Sequence, residues 1–220
     1  MQPVAILDFH THAFPDNIAV HAMESLADSA DMRPDHAGTL DSLLASMDRA
    51  GIARAVLCNI ATRPEHFGNI LRWSEKIRSE RIIPLPSVHP EDPELEAHLR
   101  MIAAAGFAGI KVHPYYQEFY LDEPDLLWRV AAETGMLVVS HTGFDAAFPD
   151  RKRLADPERI LRVLDRHPDL KLVTTHLGAW EDWDEVEAKL VGKPVYMEIS
   201  YAFGRIPDAR IRDIFHAHPA

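Results

Sequence analysis

The sequence predicts an α/β protein, a parallel (β/α)8 TIM barrel whose strand eight is missing from this chain. Three observations carry the prediction. Short continuous apolar runs alternate with amphipathic stretches about once every 30 residues, the size of a βα unit. Four of those runs lead into histidine: Leu7-Asp8-Phe9-His10-Thr11-His12, Gly109-Ile110-Lys111-Val112-His113, Leu137-Val138-Val139-Ser140-His141 and Leu172-Val173-Thr174-Thr175-His176. The turn after the first run holds two histidines, where a doubly wound nucleotide-binding fold places glycines. In a barrel, residues at the C-terminal ends of the strands meet at one mouth, whereas an open sheet spreads them along an edge.

Composition sets the outer limits. The 220 residues suffice for a single domain over 1–220, and 47% hydrophobic with 26% charged residues is ordinary for a packed globular chain. A formal net charge of -11 argues against nucleic acid or an anionic membrane as partner. The single cysteine, Cys58, allows no internal disulfide and suits a reducing compartment. No signal peptide or membrane-length apolar stretch is evident, so the expected location is cytoplasmic. The partner expected is a small-molecule substrate. Thirteen histidines direct attention to a metal.

The elements follow in order. The first strand runs from Val4 to His12. Residues 13–38 read as a loop insertion over the strand end, a lid or substrate loop carrying Pro15 and Pro34 and a short helix around 18–30. Leu40, Leu43, Leu44 and Met47 recur at helical spacing, and Gly51 supplies the stop. Strands are predicted over Ala53–Ile60, Arg81–Val88, Phe107–Val112, Met136–Ser140, Leu170–Thr175 and Pro194–Ser200. Helices are predicted over Pro64–Glu80, from Asp92-Pro93-Glu94 with Asp92 as N-cap, over Asp122–Thr134, from Asp156-Pro157-Glu158, around Trp183, Val186 and Leu190, and over Ala209–His216.

The chemistry lies in the histidines. At i, i+2 on a strand, His10 and His12 share one face, half of a divalent-metal site. His141 is either a third ligand or a buried histidine bonded to backbone. Three imidazoles and a carboxylate or water suit Zn²⁺, and Fe²⁺, Mn²⁺ or Co²⁺ also fit. His176 is a further ligand, a structural histidine, or the group that handles the proton of a metal-activated water. Lys111 and His113 share a face of strand four as candidate substrate-binding residues. There Lys111 neutralises a substrate carboxylate, bridges metals if carboxylated, or pairs with an internal acid. Glu198 and Ser200 face the mouth if strand seven keeps its alternation. His89 is a weaker candidate. Trp180 and Trp183 suit helix packing or a pocket wall. His21, His36, His66, His98, His167, His216 and His218 read as solvated surface, and Cys58 as core. No nucleophile elbow, P-loop or Cys-x-x-Cys pair is present.

Leu7-Asp8-Phe9-His10-Thr11-His12, Gly109-Ile110-Lys111-Val112-His113-Pro114, Val139-Ser140-His141-Thr142-Gly143 and Thr175-His176-Leu177-Gly178 occur in the order seen in a known family. The chain resembles the metal-dependent amidohydrolase superfamily, in the amidohydrolase-related branch that includes aminocarboxymuconate-semialdehyde decarboxylase. The resemblance implies a distorted (β/α)8 barrel with one divalent metal, usually zinc. It implies His10, His12 and His141 as metal ligands and His176 as the catalytic histidine, and it is compatible with a homodimer. One departure stands out: the family's aspartate at the end of strand eight has no counterpart before Ala220.

The leading expectation is a hydrolase, in which a metal-activated water attacks an amide, ester or lactone carbonyl. The alternative is a nonoxidative decarboxylase, a lyase acting on an aromatic or unsaturated carboxylic acid, with Lys111 and Arg54, Arg63 or Arg205 gripping the carboxylate. A third is a metal-binding remnant with impaired catalysis.

Overall fold

The computed structural model describes residues 5–30, 36–148, 150 and 152–219. Val4 and Pro34, named above, lie outside the described residues. Seven strands are present among the described residues: β1 (Ile6–Thr11), β2 (Ile52–Cys58), β3 (Ile82–Leu85), β4 (Gly109–Val112), β5 (Leu137–Ser140), β6 (Lys171–Thr174) and β7 (Tyr196–Met197). They form two parallel sheets, in the orders β1-β2-β3 and β4-β5-β6-β7. Strand order follows chain order, and a helix separates consecutive strands, as right-handed βα repetition requires.

The two sheets enclose one interior. Val56 and Cys58 of β2 and Leu85 of β3 cluster with Val139 of β5 and Val173 of β6, and Phe9, Ile83 and Leu137 pack against them. Strands from both sheets thus point alternate residues at each other, as a curved, barrel-like arrangement requires. The intervening residues of β2, Ala55 and Leu57, face outward onto Leu43 and Met47 of α2 (Leu40–Ala50) and Ile77 of α3 (Phe67–Ile77). Burial on both faces explains why the strands read as unbroken apolar runs.

Across the seam between the sheets, Lys111 N–H donates to Pro86 O at 2.9 Å. Gln117 reinforces it. Its Nε2 donates to Ala61 O at 2.9 Å and Val88 O at 3.1 Å, while its Oε1 accepts from His113 N–H at 2.7 Å. One buried amide thereby ties together the chain segments beyond β2, β3 and β4. β1 and β7 have no ladder to each other among the described residues. Ile6, Leu7 and Tyr196 on these edges are exposed. The fold is an incomplete (β/α) barrel.

Several element boundaries shift. Strands are shorter than expected, β7 most of all, with two residues in place of seven. Residues 13–38 hold a helix, α1 (Asp16–Ala30), of 15 residues, longer than the short helix expected there. Asp92 is not the N-cap of the third helix. It closes a turn by accepting Glu94 N–H at 2.8 Å, and α4 (Leu95–Ala104) begins after it, because Pro93 occupies that turn instead of the first helical position. Asp156 does cap α6 (Pro157–Arg166), accepting from the N–H groups of Glu158 at 3.0 Å and Arg159 at 3.2 Å. The helix expected around Trp183–Leu190 is a single α turn, α7 (Trp183–Glu185), that widens into a π turn over Val186–Leu190. α5 (Asp125–Thr134) and α8 (Asp208–Ala217) complete the layer.

Two glycines permit a graded test of this packing. Gly143, at φ +86°, lies so close to β6's following loop that a Cβ there would sit 2.1 Å from Trp180 N. Gly51, at φ +69°, has nothing within 4 Å of that position. Gly143→Ala is expected to cost about 3 kcal/mol and Gly51→Ala about 1 kcal/mol, since only the former adds a backbone clash to left-handed strain. Urea midpoints of the two variants check the order; equal shifts would contradict it.

Candidate metal and catalytic centre

β1 delivers the first two histidines through an irregularity. Asp8 pairs with Ala55 and Thr11 with Leu57, so three steps on β1 match two on β2, and the extra residue falls at Phe9–His10. Such bulges re-aim side chains at strand ends. His10 and His12 then meet with their Nε2 atoms 3.2 Å apart. His12 Nδ1 lies 2.9 Å from Cys58 O, and His10 Nδ1 lies 3.1 Å from Glu198 Oε1. Each acceptor requires a proton on Nδ1, which leaves a lone pair on each Nε2. Burial lowers the pKa of His12 to about 4 and holds that of His10 well below the usual imidazole value, and the Lys111 charge adds to both shifts. Two neutral imidazoles therefore face each other lone pair to lone pair.

That arrangement suits a shared cation. Zn–N bonds of about 2.0–2.1 Å at a tetrahedral angle place two nitrogens about 3.3–3.4 Å apart. The 3.2 Å separation of His10 and His12 matches this. The remaining donors are arranged around them. The His176 ring stacks on His10 at 5.3 Å, and meets His141 edge-on at 5.2 Å. His176 Nδ1 donates to Ser200 O at 3.0 Å, leaving its Nε2 as an acceptor. Burial, with His141 nearby, lowers the His176 pKa to about 3. His141 donates from Nε2 to Phe144 O at 2.8 Å, so its free lone pair is on Nδ1.

Ligand-bearing side chains form two close groups, His10–His176–Glu198 and His113–His141–Asp145, each with ligand atoms within 4.8 Å of one another. Neither is the expected set of His10, His12 and His141. In the second group the protons are already placed. His113 Nδ1 faces Tyr116 N–H at 3.4 Å, so its Nε2 proton points to Asp145 Oδ2 at 3.3 Å. Burial opposes a charge on Asp145, but the His113 hydrogen bond and the fields of His141 and His113 bring its pKa down to about 2. His113 is driven to about 4 by burial. Its ring stacks on His141 at 4.2 Å, so it supports that histidine from behind.

Lys111 is fully buried, and its Nζ has no hydrogen-bond partner among the described residues. Burial lowers its pKa, and its charge is felt at His10, His12, His113, His141 and His176. No internal acid pairs with it at hydrogen-bond distance. The arginines expected to accompany it lie elsewhere. Arg54 is exposed and bonds Glu80 O, Arg63 is exposed, and Arg205 bonds Tyr201 Oη. His98 corrects another expectation: it is stacked on Phe67 at 3.7 Å and bonded to Asp92 at 2.8 Å, not solvated. His167 likewise contacts Asp125 at 3.0 Å with its side chain 10% exposed.

Sequence reasoning missed Asp145 and Gln117. Each follows its histidine by four residues, a spacing that carries no meaning once the strand has ended. Asp145 lies in the loop that follows His141, of which Pro149 and Arg151 lie outside the described residues.

Comparison with known proteins agrees with this architecture. The amidohydrolase family profile matches residues 7–219. The chain belongs to the amidohydrolase family. No curated relative matches the sequence. Among solved structures, a TIM-barrel protein of Bordetella bronchiseptica aligns at 17% identity and TM-score 0.72, over 97% of this chain and 81% of that one. A dihydroxybenzoic acid decarboxylase from Polaromonas, solved with manganese and 2-nitroresorcinol, aligns at 14% identity and TM-score 0.63, over 97% and 82%. Amidohydrolase 2 from Bifidobacterium longum subsp. infantis aligns at 16% identity and TM-score 0.60, over 98% and 80%. At such identities the likeness is one of fold. No helix among the described residues is long and apolar enough to cross a membrane.

The buried imidazoles make stability depend on pH. In the unfolded chain His12 and His113 titrate near 6.5, and in the folded chain near 4. Between those values the unfolded chain binds more protons, so stability is full above about 6.5 and declines as pH falls, by up to about 1.4 kcal/mol per pH unit for each histidine. Thermal denaturation of the cation-free protein should show Tm falling from about pH 7 to about pH 5. A level profile there would contradict neutral burial.

Proposed function

We propose that this chain is a metal-dependent hydrolase whose divalent cation, zinc by preference, is held by His10, His12 and His141, with His176 as proton acceptor. The observation that carries the reading is the 3.2 Å approach of the two Nε2 atoms, while Glu198 and Cys58 O draw the ring protons to the Nδ1 sides. A cation bound there supplies a Lewis acid that polarises a carbonyl oxygen and makes water acidic at neutral pH. The protein's own groups do the rest. The Ser200 carbonyl holds the His176 proton on Nδ1, so Nε2 accepts a proton from an attacking water and returns it to the leaving group. His113 and Asp145 hold His141 in place from behind. The substrate class is an amide, ester or lactone.

One observation favours decarboxylation as the second reading. The Lys111 amine is buried and unsatisfied, and a substrate carboxylate would satisfy it. The decarboxylases among the structural neighbours are compatible with this reading, in which the same ligands serve a lyase.

The two are separated by product. Turnover across a panel of lactones and esters without CO₂ release supports the hydrolase; CO₂ from hydroxybenzoic or unsaturated acids supports the lyase. Stoichiometric metal with neither activity points to a binding remnant. The double substitution His10→Ala/His12→Ala should remove bound metal and lower kcat/KM by about 10³-fold or more. Retention of a full metal equivalent in that variant would overturn the ligand assignment.

A further inference from the structure

We infer that Glu198 is a positioning residue, one carboxylate that sets the tautomer of His10 and holds the backbone of His176 in a strained form. The inference rests, for its link to the cation, on the reading that His10 is a ligand. Glu198 follows β7 directly and is 7% exposed. Its Oε1 accepts from His10 Nδ1–H at 3.1 Å, from His176 backbone N–H at 2.8 Å and from Ser200 Oγ at 2.9 Å. Its Oε2 accepts Ser200 backbone N–H at 2.6 Å. Asp145 plays the corresponding part for His113 and His141.

Each contact has a consequence. The bond to His10 puts the proton on Nδ1 and the lone pair on Nε2, opposite His12. An ionised acceptor behind an imidazole also raises its basicity as a ligand. The bond to His176 acts on the main chain. His176 and Leu177 are both in the left-handed region, at φ 58° and 59°. Non-glycine residues there carry strain of about 1–3 kcal/mol each, which surrounding bonds must hold. Three do so: Glu198 Oε1 takes His176 N–H, Glu198 O takes Leu177 N–H at 2.7 Å, and Trp183 Nε1–H donates to His176 O at 3.0 Å. The turn is what aims the His176 ring at His10. β7 itself is only two residues long, so this carboxylate does at the rim what a longer strand would do by pairing.

The test uses the full chain. Ring ¹⁵N NMR of the metal-free protein should show His10 protonated on Nδ1 alone, and Glu198→Ala should give a mixture of tautomers. Zinc competition against a chromophoric chelator should show affinity about 100-fold weaker in Glu198→Ala and about 10-fold weaker in Glu198→Gln, which keeps an acceptor but loses the charge. If the alanine variant does not fold, the glutamine variant carries the test alone. A wild-type tautomer in Glu198→Ala, or wild-type zinc affinity in Glu198→Gln, would overturn the inference. Wild-type protein that binds no zinc would overturn the metal reading instead, while the metal-free tautomer still reports on Glu198.

Discussion

The molecule depends on keeping several neutral imidazoles buried together at the rim of a barrel. Each has two nitrogens, and in a site closed to water every proton needs an acceptor. Cys58 O, Glu198, Ser200 O and Phe144 O supply acceptors for His12, His10, His176 and His141 in turn. Those bonds choose which nitrogen of each ring remains basic. The outcome is a set of lone pairs gathered with no protons between them, a state that a bare protein tolerates poorly and a divalent cation satisfies.

The two groups of ligand-type residues differ for the same reason. His113 gives its proton to Asp145 and His141 gives its own to Phe144 O, so the closeness of that group needs no ion. His10 and His12 cannot, because both protons are already given away on the far sides of the rings. Proximity alone would treat the two groups alike; proton accounting separates them. Lys111 adds a second buried group without a hydrogen-bond partner among the described residues.

The seams of the barrel also bear on the site. Between β3 and β4 the backbone contributes, among the described residues, the hydrogen bond from Lys111 to Pro86 O, and Gln117 makes up the join with a side chain. Between β1 and β7 the join is His10 with Glu198 and Ser200. At both seams the residues that link strands are site residues or their immediate supports, so the geometry of the centre and the integrity of the rim are one property.

Much of this was legible in the chain. Apolar runs buried on both faces announced a parallel sheet, and His10, His12, His141 and His176 were recognisable because strands of a barrel end at one place. Boundaries were less legible: Asp92 looked like a cap, and β7 like a strand of seven residues, because local pattern does not say where pairing stops. His98 looked solvated because its partner Phe67 lies on a different helix. Sequence by itself determined the order of the strands and which of them run into histidine, since these follow from period and chain order. Only the tertiary structure decided which nitrogen of each histidine is free, that Glu198 and Asp145 stand behind them, and that Lys111 has no partner. Those depend on acceptors brought from strands and loops up to 188 residues apart, a relation no local spacing encodes.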